Sequence, residues 1–147
     1  MTAKIRIMVA GLALAAPMPL AAHIHLGPET ATRGATAQIG LIVGHGCAGQ
    51  ATTALRVAIP PGLTDVTPVA KPGWQVASTA GEILWQGGSL ADGVKDRFVL
   101  QATIRPDAPE TIAVPVIQIC GATQTRWIDA DPNADSPAPV LRITPKQ

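Results

Sequence analysis

Two histidines one residue apart, His23-Ile24-His25, carry the most specific chemistry in this chain. A histidine whose own α-amine is free offers two nitrogens, amine and imidazole, that close a chelate ring on a divalent transition metal. The amine titrates at about pH 8 and the imidazole at about 6.5, so both can yield a proton to a metal near neutrality. Among divalent first-row ions, such donors hold Cu(II) most tightly. His25 allows two competing arrangements. If residues 23–25 run extended, both imidazoles lie on one face and His25 joins as an outer ligand. If the backbone instead wraps the ion, His25, the amine and two deprotonated amides form a square-planar site for Cu(II) or Ni(II).

Whether that amine is free depends on what precedes it. Lys4 and Arg6 form a short basic region, Ile7 to Ala16 is apolar, Pro17 and Pro19 interrupt any helix, and Ala22 supplies a small residue before a cut. Residues 1–22 therefore read as a secretory signal peptide, with 23–147 as the mature domain. Cleavage after Ala22 makes His23 the first residue; cleavage after Ala21 moves the chelate inward. The apolar run is too short and too broken for a membrane span, and no second run follows near the C-terminus. The expectation is an exported protein without a membrane anchor, best suited to a Gram-negative periplasm.

Taking 22 residues from 147 leaves 125, the size of one domain. The leader removes two of eleven basic residues, leaving nine against ten acidic ones, a net of about −1. That balance offers no footprint for nucleic acid or anionic lipid. With no Tyr, one Phe and three Trp, a sugar- or base-stacking surface is poorly supported. All three methionines lie in the leader, so the mature domain has no thioether for a Met-rich Cu(I) site. Cys47 and Cys120 are expected to form a disulfide in an exported chain, the alternative being two thiolate ligands for a soft metal.

The elements that must position these residues read as short strands between Gly- and Pro-rich turns, with no helical period. Extended runs are expected at 23–26, 35–43, 52–59, 66–69, 74–77, 82–86, 96–104, 111–120, 125–130 and 140–144. The run 82–86 is expected to stop at Gly87-Gly88, and Thr111 to Cys120, nearly all apolar, reads as one strand buried on both faces. An acidic, Pro-rich loop spans 131–139. Eight to ten strands in one domain suggest an all-β antiparallel sandwich of the immunoglobulin or cupredoxin kind.

The ordered set Ala22-His23-Ile24, His45-Gly46-Cys47, Lys71-Pro72-Gly73-Trp74, Trp85-x-Gly87-Gly88-Ser89-Leu90, Gln118-x-Cys120 and Arg126-Trp127-Ile128-Asp129 resembles the YcnI-like copper-binding domain. The likeness runs through essentially the whole mature chain. It implies an exported β-sandwich that binds Cu(II) through its N-terminus, His23 supplying amine and imidazole (a mono-histidine brace), with Trp127 and a carboxylate nearby. It also implies copper handling at the cell surface without a reaction of its own, and a copper donor or acceptor protein of unknown identity as partner.

The chain departs from the family at several points. Arg97 stands where the family often has an acid, and Asp96 beside it faces the other way in a regular strand. Asp129 stands where the family usually has Glu, His25 replaces a small polar residue, and the hairpin between Trp74 and Trp85 is expected to be trimmed. Asp96, Asp129 and Glu29 all remain candidates for the carboxylate. Trp74 and Trp85 are assigned to packing, and His45 to a turn hydrogen-bonded near the disulfide. Two other functions compete. A copper oxygenase with a histidine brace would need a second histidine from another strand, where only His45 is available. A metal-free structural or adhesive sandwich needs none.

Overall fold

The computed structural model describes residues 23–146; the expected signal peptide lies outside the described residues. Twelve strands and no helix are found among them, in the order β1 (His25–Gly27), β2 (Thr30–Thr32), β3 (Thr36–Val43), β4 (Thr52–Ala58), β5 (Leu63–Pro68), β6 (Gln75–Ser78), β7 (Glu82–Leu90), β8 (Asp96–Ile104), β9 (Thr111–Ala113), β10 (Val116–Cys120), β11 (Thr123–Trp127) and β12 (Val140–Thr144). One sheet runs β1-β3-β8-β5, a second β11-β10-β4-β7-β6, and a small third β2-β12-β9. The all-β sandwich expected from the sequence is the fold observed.

Alternation creates the core. Ile39, Leu41 and Val43 on β3 and Phe98, Leu100, Ala102 and Ile104 on β8 turn inward from the first sheet. Leu55 and Val57 on β4, Ile83 and Trp85 on β7, and Val116 on β10 meet them from the second. The third sheet adds Ala31, Ile112, Leu141 and Ile143 to the same cluster. Trp85 and Trp74 both stand edge-on to Phe98, with ring centres 5.8 Å and 4.8 Å away. Both tryptophans pack as expected. Trp74 lies so close over Gly88 that a Cβ there would fall 2.3 Å from its ring, which is why glycine occupies that position.

Three local expectations are corrected. Thr111 to Cys120 is not one strand buried on both faces: Pro115 divides it into β9 and β10, which belong to different sheets. Burial alternates along both pieces, so the outward Ile117 and Ile119 are only partly covered. The run beginning at Glu82 does not stop at Gly87-Gly88 but continues to Leu90, with a register shift against β4 between Thr52 and Ala54. Gly87 takes a φ of 76° there, a left-handed conformation open to glycine at little cost. The strand count exceeds the expected range because short edge pieces such as β2 carry little hydrophobic pattern. The β2–β12 pair is parallel, the exception to the antiparallel rule. The segment between Trp74 and Trp85 forms the β6–β7 hairpin, joined through residues 79–81.

Candidate metal centre

The histidines are placed by the residues between and after them. Ile24 and Leu26 are each 4% exposed and point into the core, so the intervening side chains turn outward, His23 half-buried and His25 exposed. The segment is extended, and β1 pairs antiparallel with β3 through His25↔Ile42, Leu26↔Leu41 and Gly27↔Gly40. The two imidazole centres are 6.3 Å apart with planes inclined at 58°.

His23 also meets Trp127 edge-on, with ring centres 5.9 Å apart and planes at 73°. Trp127 ends β11, an edge strand of the second sheet, while β1 is an edge strand of the first. Their contact therefore ties one edge of the sandwich together. The indole is 6% exposed, and its N–H donates to Gln118 Oε1 at 3.0 Å. That nitrogen is engaged; what Trp127 turns toward His23 is ring.

Gln118 belongs to the motif Gln118-x-Cys120, yet sequence reasoning assigned it no role. It is 1% exposed, and both ends of its amide are hydrogen-bonded. Oε1 accepts from Trp127, and Nε2 donates to Thr52 Oγ1 at 2.7 Å and to the backbone carbonyl of His45. An indole can only donate, so the amide has one possible orientation. Parity was the available signal: Gln118 shares the inward face with Val116 and Cys120, and a buried amide there must find partners.

Beneath this amide lies the Cys47–Cys120 disulfide, which joins the loop after β3 to the end of β10, with Cα atoms 5.7 Å apart. The expected pairing is present, and the thiolate alternative is excluded. The same loop is held by Gly46 N–H donating to Asp92 Oδ1 at 2.8 Å. His45 is exposed and takes part through its backbone carbonyl, close to the turn role expected of it.

The carboxylate candidates go elsewhere. Asp96 forms a 2.7 Å ion pair with Lys71, whose ammonium also sits 4.7 Å over the Phe98 ring. Burial raises the Asp96 carboxyl, but the Lys71 hydrogen bond, the Arg97 amide and the Lys71 charge together hold it below its ordinary value. Asp129 is exposed; its Oδ1 accepts from the Asp131 amide at 3.2 Å, closing the start of the acidic loop. Glu29 is exposed and lines, with His25, Pro132, Pro139, Val140 and Arg142, a groove of about 380 Å³ beside β1. Among the described residues, no group of three or more His, Cys, Asp or Glu side chains converges as a metal cage.

Arg97 works on the outer face instead. It stands in the cross-strand row His25–Ile42–Arg97, and its guanidinium donates to the Gly27 carbonyl across β3. Gly40 makes the crossing possible, since a Cβ there would lie 1.9 Å from Arg97 Nε. The cation that replaces the expected acid thus clamps β1.

These features define an immunoglobulin-like sandwich with two histidines before and at the start of its first strand, the former beside a buried tryptophan. The family described as a domain of unknown function (DUF1775) matches residues 23–83 and 75–143, and the chain belongs to that family, which includes the YcnI-like copper-binding proteins. Among solved structures, an uncharacterized protein from Nocardia farcinica with an immunoglobulin-like fold superposes with a TM-score of 0.72 at 23% identity, over 82% of this chain and 97% of that one. The seventh ScaB type I cohesin of Pseudobacteroides cellulosolvens aligns over 84% of this chain and 85% of its own at 9% identity, with a TM-score of 0.45. No curated protein matches the chain.

Proposed function

We propose that this is an exported Cu(II)-binding protein for copper sequestration or transfer, without a reaction of its own. The metal is held by the amine and imidazole of His23 after cleavage behind Ala22. The observation that carries this reading is the placement of His23: an extended terminus, anchored by buried Ile24, sets its imidazole against the Trp127 ring. Trp127 would cover one side of the ion and limit exogenous ligands, its own N–H being committed to Gln118.

The residues fit such an ion. At the usual metal–nitrogen distance of about 2.0 Å, an ion lies about 3.2 Å from the centre of the ring that binds it. His23 is half-buried, so part of its ring stays open to solvent. The square-planar alternative through His25 requires the backbone of residues 23–25 to wrap the metal. That would withdraw Ile24 from the core and His25 from its pairing with Ile42, so the extended geometry favours the brace. Asp96 and Asp129 are engaged by Lys71 and the acidic loop, whereas Glu29 lines the same groove as His25.

Export to the periplasm is supported by the disulfide, which persists in oxidising compartments, and no helix among the described residues is long and apolar enough to cross a membrane. The partner is a copper donor or acceptor protein.

The test is electron paramagnetic resonance of the processed protein, its N-terminus confirmed by mass spectrometry, titrated with Cu(II). One equivalent with nitrogen hyperfine coupling is expected, lost in His23→Ala and in a variant extended by one N-terminal alanine. Unchanged binding in both would overturn the reading.

A further inference from the structure

We infer that the His23–His25 pair holds copper in the cuprous as well as the cupric state, with His25 supplying the imidazole opposite His23. This rests on the reading of His23 as a copper ligand and extends it to a second ion and a second ring.

The spacing carries the inference. Two rings bound at right angles to one ion have centres about 4.5 Å apart, and two rings on opposite sides about 6.4 Å, at ordinary metal–nitrogen distances. The observed 6.3 Å, the ordinary spacing of same-face side chains two residues apart on a strand, equals the span of two rings bound on opposite sides of one ion. The 58° between the planes is no obstacle, because opposed rings can twist freely about their common axis. Near-linear binding by two neutral nitrogens suits a d¹⁰ monocation; Cu(II) asks for a tetragonal set of nitrogen and oxygen donors.

Two further observations favour the lower charge, and a third favours binding of either ion. Among the described residues, no carboxylate or thiolate converges on the pair, so the side chains supply two neutral donors and no anion. Arg97 lies in the same outer-face row as His25 and directs its guanidinium onto β1. A fixed positive charge there opposes a dication more than a monocation. Finally, the pair is preorganised: buried Ile24 and Leu26 and the ladder to β3 hold both histidines outward without cost at the moment of binding.

The experiment uses the processed chain starting at His23, titrated anaerobically with Cu(I) against a chromogenic cuprous chelator, beside the Cu(II) titration. The wild type is expected to take one equivalent of Cu(I), with an X-ray absorption edge typical of low-coordinate copper bound by nitrogen. His25→Ala, at an exposed position where folding is checked by circular dichroism, is expected to weaken Cu(I) at least tenfold while the His23-dependent Cu(II) signal persists. Wild-type protein that binds Cu(II) but yields all Cu(I) to the chelator would overturn the inference and leave the cupric reading intact. Undiminished Cu(I) binding in His25→Ala would also overturn it. His25-dependent Cu(I) binding without any Cu(II) signal would overturn the cupric reading and leave the pair as a cuprous site.

Discussion

Gln118 shows how much one buried side chain can organise. Its amide joins Trp127, Thr52 and the loop carrying Cys47, so the indole that faces His23 is set from beneath. Gln118→Leu takes this partner from the buried Trp127 N–H and the buried Thr52 hydroxyl. Each buried group left without a partner costs about 1–3 kcal/mol. Chemical denaturation should show that loss, and the indole N–H resonance of Trp127 should broaden or shift. Gln118→Glu gives a sharper check. With no cation beside it, a buried carboxyl is pushed above its ordinary value and can donate to the His45 carbonyl only when protonated. The variant's stability should therefore be highest at acidic pH and fall as pH rises through the folded-state value. A variant whose stability is flat between pH 4 and about 8 would contradict this placement.

At the scale of elements, β1 is three residues long and sits on a sheet edge, so it needs more than its ladder to stay in place. Two anchors act on opposite faces: Ile24 and Leu26 into the core, and Arg97 over Gly40 to the Gly27 carbonyl. Arg97→Ala should cost about 1 kcal/mol or less globally, because the contact is exposed, yet speed amide hydrogen exchange in β1 selectively. Gly40→Ala should act through the same contact by displacing the guanidinium. The double variant should then be no worse than Arg97→Ala, a non-additivity that a thermal-melt cycle measures. Additive losses would mean that Gly40 and Arg97 act separately.

Across the whole molecule, an aromatic contact joins His23, just before the edge strand of one sheet, to Trp127 on the edge strand of another, while the Cys47–Cys120 bond closes a separation of 73 residues. Cross-linking so long a loop contributes about 4 kcal/mol by restricting the unfolded chain. Guanidinium denaturation with and without a dithiol reductant should show a fall of that order. A much smaller difference would mean that the reduced chain retains structure in its unfolded state.

Composition and alternation were enough to read the sandwich, most strand positions and the cysteine pair from the chain alone, because hydrophobic period and turn chemistry are local; Trp127 was set beside His23 only by the family resemblance. The division of Thr111 to Cys120 between two sheets was not legible, since an apolar run does not say on how many faces it is covered. The carboxylate question also lay beyond the sequence: Asp96 looked available until the fold brought Lys71 to it from 25 residues away in the chain. The same holds for the contact of His23 with Trp127 and for the Gln118 amide. Identity and spacing specify which groups exist and which way they alternate. Which of them meet depends on strand order and register, and these are settled by how the buried faces pack together.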